Sequence, residues 1–278
     1  MPELLYSEET YQIRGAAFEV HRQLGPGHAE EAYEEALKIA LARRGISIRD
    51  QVPFDVVYED VKVGSYRPDL LANERILLEL KAVEKLLPIH EAQLLFYLRV
   101  TALELGLLIN FGAARVQAVR RVLTRAEPGQ TPPERCRTYT GGLERLPYPE
   151  VLWAIGNCAR RVHFTLGPGF LFHVYEKALF VEMGLQGIPR EPVKYLDLEF
   201  DGQVVGRERV HLLVADGKVL VGPVAVSEIR ALDLQITRKQ LRALGLEVGV
   251  VANFHDLSPS IRVVQAARRA AVARGEPA

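Results

Sequence analysis

Val20–Leu37 reads VHRQLGPGHAEEAYEEAL, and Val162–Leu179 reads VHFTLGPGFLFHVYEKAL. Ten of these eighteen positions are identical at a constant offset of 142. A period this long means two copies of one domain rather than a solenoid of short repeats. The offset holds through Gly45-Ile46 against Gly187-Ile188 and through VKVGSYRPDLL against QVVGRERVHLL. One inserted residue later, LGLLINF (Leu105–Phe111) matches VGVVANF (Val248–Phe254) at an offset of 143. Between the copies, residues 124–150 hold five prolines and the pair Gly141-Gly142. That composition suits a linker with little regular structure. The expected organisation is therefore a domain at 1–123, a linker at 124–150 and a second domain at 151–278.

Composition narrows the class. The chain has 278 residues, 48% of them hydrophobic and 25% charged, enough to build two cores. No stretch approaches the roughly 18 consecutive apolar residues of a membrane span, and Leu94–Ala114 is interrupted by Arg99 and Glu104. The acidic start MPELLYSEET is not expected to serve as a secretory signal. Two cysteines, Cys136 and Cys158, make no disulfide framework, so a reducing cytoplasm is the expected location. The formal net charge is zero, which speaks against a protein that coats nucleic acid with a broad basic face. Residues 1–123 carry 15 Lys and Arg against 18 Asp and Glu, and residues 151–278 carry 16 against 13.

Each copy has the same grammar. In the first, apolar residues at Ile13, Ala16, Ala17 and Val20 indicate a helix over about 9–24, broken by Gly25-Pro26-Gly27. A second helix is expected over about 29–44, ending at Gly45. Strands follow near 47–58, 61–72 and 76–83, then a helix over about 89–101, a buried strand at 106–111, and a last strand or short helix at 116–123. This order predicts an α/β fold: two tandem domains, each a mixed central sheet flanked by helices.

The chemistry concentrates in one hairpin of the first copy. With a three-residue loop at Asn73–Arg75, Ala72 pairs with Ile76 and Asp69 falls opposite Glu79. Cross-strand partners project on one face, and Lys81 shares the face of Glu79. A two-residue loop would pair Asp69 with Leu78 and disperse the trio. Two facing carboxylates repel unless a cation lies between them. Their hard oxygens suit Mg²⁺ or Mn²⁺, which lowers the pKa of a bound water and neutralises charge on a phosphate under attack. Lys81 is placed to orient that water or stabilise the developing oxyanion. An exposed strand face with a salt bridge is the plainer reading of the same residues. Glu30 and Tyr33 share one helix face, as do Gln93 and Tyr97. Glu30 also suits a helix first turn, and Tyr97 a core position. His21 recurs in the second copy where the acids do not, which marks it as structural; His90 is expected to be exposed or to stand behind the site.

Gly27-x-x-Glu30-x-x-Tyr33, Tyr66-Arg67-Pro68-Asp69-Leu-Leu, Glu79-Leu-Lys81-Ala-Val-Glu84 and His90-Glu-Ala-Gln93-Leu-Leu-x-Tyr97 resemble the GxxExxY protein family of the PD-(D/E)xK nuclease-like superfamily. The resemblance covers about residues 10–123, with the motifs in the family's order. It implies a metal-dependent nuclease in which Asp69 and Glu79 ligate Mg²⁺ or Mn²⁺ and Glu30 completes the metal's shell. Lys81 would be the catalytic lysine, and Gln93 and Tyr97 would support the site. The implied partner is nucleic acid, DNA before RNA, and the two domains are expected to pair within the chain. A non-catalytic scaffold built on the same fold, binding nucleic acid or protein, is the second reading.

By the same offsets Glu30 becomes Phe172, Asp69 becomes His211, Gln93 becomes Ile236 and Tyr97 becomes Gln240. Glu79 lands on Val221 or Gly222, and Lys81 on Pro223 or Val224. The second copy is expected to keep the scaffold and to lack the chemistry.

Overall fold

The computed structural model describes residues 5–123 and 143–266. These residues divide into two compact units. Most of the expected linker, residues 124–142, lies outside the described residues. Its last part holds a 3₁₀ turn at Leu143–Arg145, and the next helix already begins at Pro149.

The first unit opens with helices α1 (Ser7–Leu24) and α2 (Glu30–Ala42). Strands β1 (Ile48–Asp50), β2 (Phe54–Tyr58), β3 (Val61–Tyr66), β4 (Leu70–Ala72) and β5 (Ile76–Lys81) follow. Helix α3 (Pro88–Thr101), β6 (Leu105–Asn110) and β7 (Gln117–Val122) complete it. The sheet order is β1-β4-β5-β6-β7, with β5 parallel to β6 and the other pairs antiparallel. Strands β2 and β3 form a separate two-stranded ribbon.

The sequence predicts three strands where the structure has five. Gln51 takes a left-handed φ of 53° just before Pro53, and Arg67-Pro68 ends the run from Val61. Proline has no N–H to give to a ladder, so each long strand splits between ribbon and sheet at these points.

The core follows strand parity. Ile76, Leu78 and Leu80 of β5, with Leu105, Leu107 and Ile109 of β6, are buried against Ile13, Ala17, Leu37 and Leu41 of α1 and α2. The alternate residues, Leu77, Glu79 and Lys81, therefore look to the other face. Helix α3 covers that face closely: a Cβ on Gly106 would come within 2.7 Å of Leu94 Cδ1. Tyr33 locks the helix junction. Its ring stacks on Phe111 (centroids 4.7 Å apart), and its hydroxyl donates to the Gly25 carbonyl at 2.7 Å. Gly25 and Gly27 both hold left-handed φ values there, 72° and 102°. Tyr33→Ala is expected to cost about 3–5 kcal/mol of unfolding free energy, because it empties a fully buried ring site and orphans that carbonyl. Urea denaturation of the full chain measures it.

The second unit repeats the plan with α4 (Pro149–Leu166), α5 (Phe172–Leu185), β8 (Arg190–Phe200), β9 (Gln203–Ala215), β10 (Val219–Val224), α6 (Ala231–Leu244), β11 (Val248–Asn253) and β12 (Ser260–Gln265). Its sheet order is β12-β11-β10-β9-β8, again with one parallel pair, β10 with β11. Here the first two strands run unbroken, since Tyr195 and His211 replace the prolines at 53 and 68. Scaffold contacts recur one for one. His21 Nε2 lies 2.9 Å from the Ala113 carbonyl, and His163 Nε2 lies 2.7 Å from that of Asp256. Asn110 Oδ1 accepts from Val83 N and Gly112 N, and Asn253 Oδ1 accepts from Val226 N and His255 N. Both histidines are structural, as the retention of His21 in the second copy indicates.

The ladders also locate the inserted residue. Val219 pairs with Val248 as Ile76 pairs with Leu105, and Val221 pairs with Leu213 as Leu78 pairs with Leu70. The offset is already 143 on β9, because Val193 pairs with Leu212 and Tyr195 with Arg209, leaving two residues bulged against one. The counterpart of Asp69 is therefore Leu212, not His211. Glu79 corresponds to Gly222 and Lys81 to Val224.

Candidate active site

The β4–β5 hairpin has the three-residue loop that the Asp69–Glu79 pairing requires. Ala72 pairs with Ile76, Leu71 with Leu77 and Leu70 with Leu78, so Asp69, one residue before β4, stands opposite Glu79. Asn73 and Glu74 make the turn with φ of 48° and 59°, left-handed values that Asn tolerates well. The structure brings Asp69, Glu79 and Lys81 together at the end of β5, on the α3 side of the sheet.

Hydrogen bonds hold all three side chains. Asp69 Oδ2 accepts the backbone N–H of Leu80 at 2.6 Å. Lys81 Nζ donates to Glu79 Oε1 at 2.9 Å and to the Leu80 carbonyl at 2.8 Å. Tyr66 donates its hydroxyl to Glu79 Oε2 at 2.8 Å. Glu79 is only 6% exposed, so its charge is carried by Lys81 and Tyr66 rather than by water. The Tyr66 ring stacks on Tyr97 of α3, with centroids 3.8 Å apart and planes 19° apart. Tyr97 thus reaches the carboxylates through a second ring, and its own ring is buried. Gln93, one turn earlier on α3, is half-buried on the same face.

Glu30 occupies the exposed start of α2 and accepts the N–H of Ala82 at 3.1 Å, next to Lys81 in the chain. Among the described residues, no three His, Cys, Asp or Glu side chains converge as a ready-made metal cluster. Glu30 is nevertheless near enough for its charge to act on both Asp69 and Lys81. His90 acts locally, since its Nδ1 accepts the N–H of Leu87 and caps α3. Cys158 is buried, and burial pushes its thiol up to about 12, which removes it as a nucleophile.

Electrostatics set the pair apart. Burial, then the facing charge of Glu79, pushes the Asp69 carboxyl up to about 7. For Lys81 burial works to lower the pKa, but the charges of Glu79, Glu30 and Asp69 outweigh it and the ammonium ends above its ordinary value. Burial, followed by the charge of Glu79, lifts the Tyr66 phenol well above its usual range, so it stays a donor. Tyr66 belongs to the site although sequence reasoning assigned it no role. Its one signal there is its place two residues before Pro68-Asp69 in the motif. Tyr66→Phe is expected to cost about 1.5–3 kcal/mol, the range for a hydrogen bond to a buried charge. Denaturant unfolding of the variant, beside its activity, reads this out.

A sequence model of the PD-(D/E)XK nuclease superfamily matches residues 7–122 and again residues 149–264. The chain belongs to the PD-(D/E)XK nuclease superfamily. No curated protein and no solved structure shows a significant match. Each match runs from the first helix of a unit into its last strand. Only the first copy carries two acids and a lysine at these hairpin positions. In the second, Leu212 and Val224 stand at the positions of Asp69 and Lys81, and both pack with Leu220, Leu241 and Val251 in an apolar cluster. Phe172, at the position of Glu30, lies edge-on to His211, whose Nδ1 is paired with Glu176 at 2.8 Å.

Proposed function

We propose that this chain is a Mg²⁺- or Mn²⁺-dependent nuclease that hydrolyses DNA phosphodiester bonds, with all of its chemistry in the first copy. The observation that carries the reading is the Asp69–Glu79 pair held face to face across β4 and β5 with the Lys81 ammonium on its edge. The donor set fits a hard divalent cation: two carboxylates that face each other, one of them pushed up to about 7 by burial and by the charge of the other. Asp69 and Glu79 would hold the cation, with Glu30 as the third acid. Such an ion lowers the pKa of a bound water and screens charge on a phosphate.

The side chains of the site have separable roles. Tyr66 fixes one oxygen of Glu79, leaving the carboxylate a single orientation. Lys81, fully charged at neutral pH, offers its ammonium to a phosphate oxygen or to the attacking water. Tyr97 holds the Tyr66 ring in place, and Gln93 supports the same face of α3. The test is cleavage of end-labelled single- and double-stranded DNA and RNA by the full chain in Mg²⁺ and in Mn²⁺, with the Lys81→Ala protein alongside. DNA cut by the first protein and not by the second is expected. Cation binding with every substrate left whole would instead assign a binding scaffold.

A further inference from the structure

The hairpin and helix that form the site of the first copy line a half-open cavity of about 170 Å³ in the second. Its wall includes Leu212, Gly222, Val224, Ile236 and Gln240. By ladder register and offset these are the counterparts of Asp69, Glu79, Lys81, Gln93 and Tyr97. Of these five positions, four have become apolar or lost their side chain, and the fifth, Gln240, is neutral.

The replacements explain the void. Glu79 becomes Gly222, which brings no side chain into the region. Tyr97 becomes Gln240, and Tyr66, which pairs with Phe54 as Glu208 pairs with Leu196, becomes Glu208. The stacked pair of phenol rings that fills this region in the first copy has no counterpart. The remaining walls do not collapse inward. Asn253 clamps Val226 through two hydrogen bonds, and α6 is fixed at its start by Asp233 accepting from Arg230 N.

We infer that this cavity is a binding site for a small neutral aromatic molecule carrying one polar group, of the size of a single phenol ring. An apolar cavity of about 150 Å³ takes a benzene-sized ring, so the volume fits one ring. The lining decides against an anion. The charged side chain in the wall is the carboxylate of Asp233, held below its ordinary range by hydrogen bonds from the Arg230 backbone and side chain. A phosphate or carboxylate would meet that charge across an apolar wall. A ring restores the packing that Tyr66 and Tyr97 give the first copy, and the Gln240 amide is available to its polar group. The inference stands whether or not the first copy cuts DNA.

The experiment is a titration of the full chain with p-cresol, the side-chain analogue of tyrosine, followed by methyl NMR. Resonances of Leu212, Val224, Ile236 and Val251 are expected to shift saturably. At about ten times its dissociation constant, p-cresol raises the melting temperature of the second copy by about 3 °C. Benzoate is expected to bind at least about tenfold more weakly, since burying its charge is costly. Gln240→Tyr restores the first copy's residue and is expected to abolish both responses. Ile236→Trp fills the cavity from a half-exposed position, and serves if Gln240→Tyr does not fold. Shifts confined to other methyl groups, a response retained in a folded filled variant, or equal binding of benzoate would overturn the inference.

Discussion

Lys81→Ala is expected to slow DNA cleavage by at least about 10³-fold while leaving KM for the substrate nearly unchanged. The ammonium lies on Glu79 at the open end of β5, where a phosphate oxygen or attacking water would develop charge. Removing it takes away an interaction made mainly in the transition state, so the loss falls on kcat. Lys81→Arg is not expected to rescue the rate. The Lys81 ammonium bonds to both Glu79 Oε1 and the Leu80 carbonyl from one compact centre, and a planar guanidinium cannot reproduce that geometry in a buried site. Initial-rate measurements on the three proteins decide this. A loss confined to KM would make Lys81 a substrate-binding residue instead.

Asp69→Asn is expected to stabilise the metal-free protein at pH 8 by on the order of 2–4 kcal/mol and to have no such effect at pH 4. The folded-state carboxyl titrates at about 7, above its unfolded value. Between those two values the folded chain holds a proton that the unfolded chain has released, so wild-type stability falls as pH rises through this window. Above pH 7 both states are ionised, and the full cost of burying Asp69 beside Glu79 remains. Asparagine keeps an oxygen for the Leu80 N–H and carries no charge, so the variant's profile loses that fall. Mn²⁺ is expected to raise the melting temperature of the wild type and not that of Asp69→Asn. Thermal unfolding across pH, with and without Mn²⁺, measures both effects. A variant less stable than wild type at pH 8 would mean that the Asp69 carboxylate is favourably held without a cation.

The duplication and the pairing of Asp69 with Glu79 are legible in the sequence because each rests on a local rule. A constant offset over eighteen residues admits one alignment, and loop length alone sets the register of a hairpin. Three features are not legible there, each for a non-local reason. Pro53 and Pro68 divide the expected long strands, but only the sheet order shows that the halves part into different sheets. An offset count sets His211 against Asp69 because it cannot place the extra residue, which is absorbed as a bulge on β9. Tyr66 carries no charge and sits on another strand, so its bond to Glu79 depends on the ribbon's position above the hairpin.

Divergence after duplication has acted on one face of the sheet. The α1–α2 face keeps Tyr33 and Tyr175 stacked on Phe111 and Phe254, with the same histidine contact in both copies. The opposite face holds acids and a lysine in the first copy, and leucine, glycine and valine in the second. What the copies share is the scaffold, and what they do not share is the set of acids and lysine proposed to carry the chemistry.

Calorimetric titration of Mn²⁺ into the full chain is the decisive test of this division. Saturable binding is expected in the wild type, lost in Asp69→Asn and in Glu79→Gln and unchanged in His211→Ala. Binding that survives both first-copy substitutions, or that disappears with His211→Ala, would place the cation elsewhere and contradict a nuclease site built on Asp69, Glu79 and Lys81.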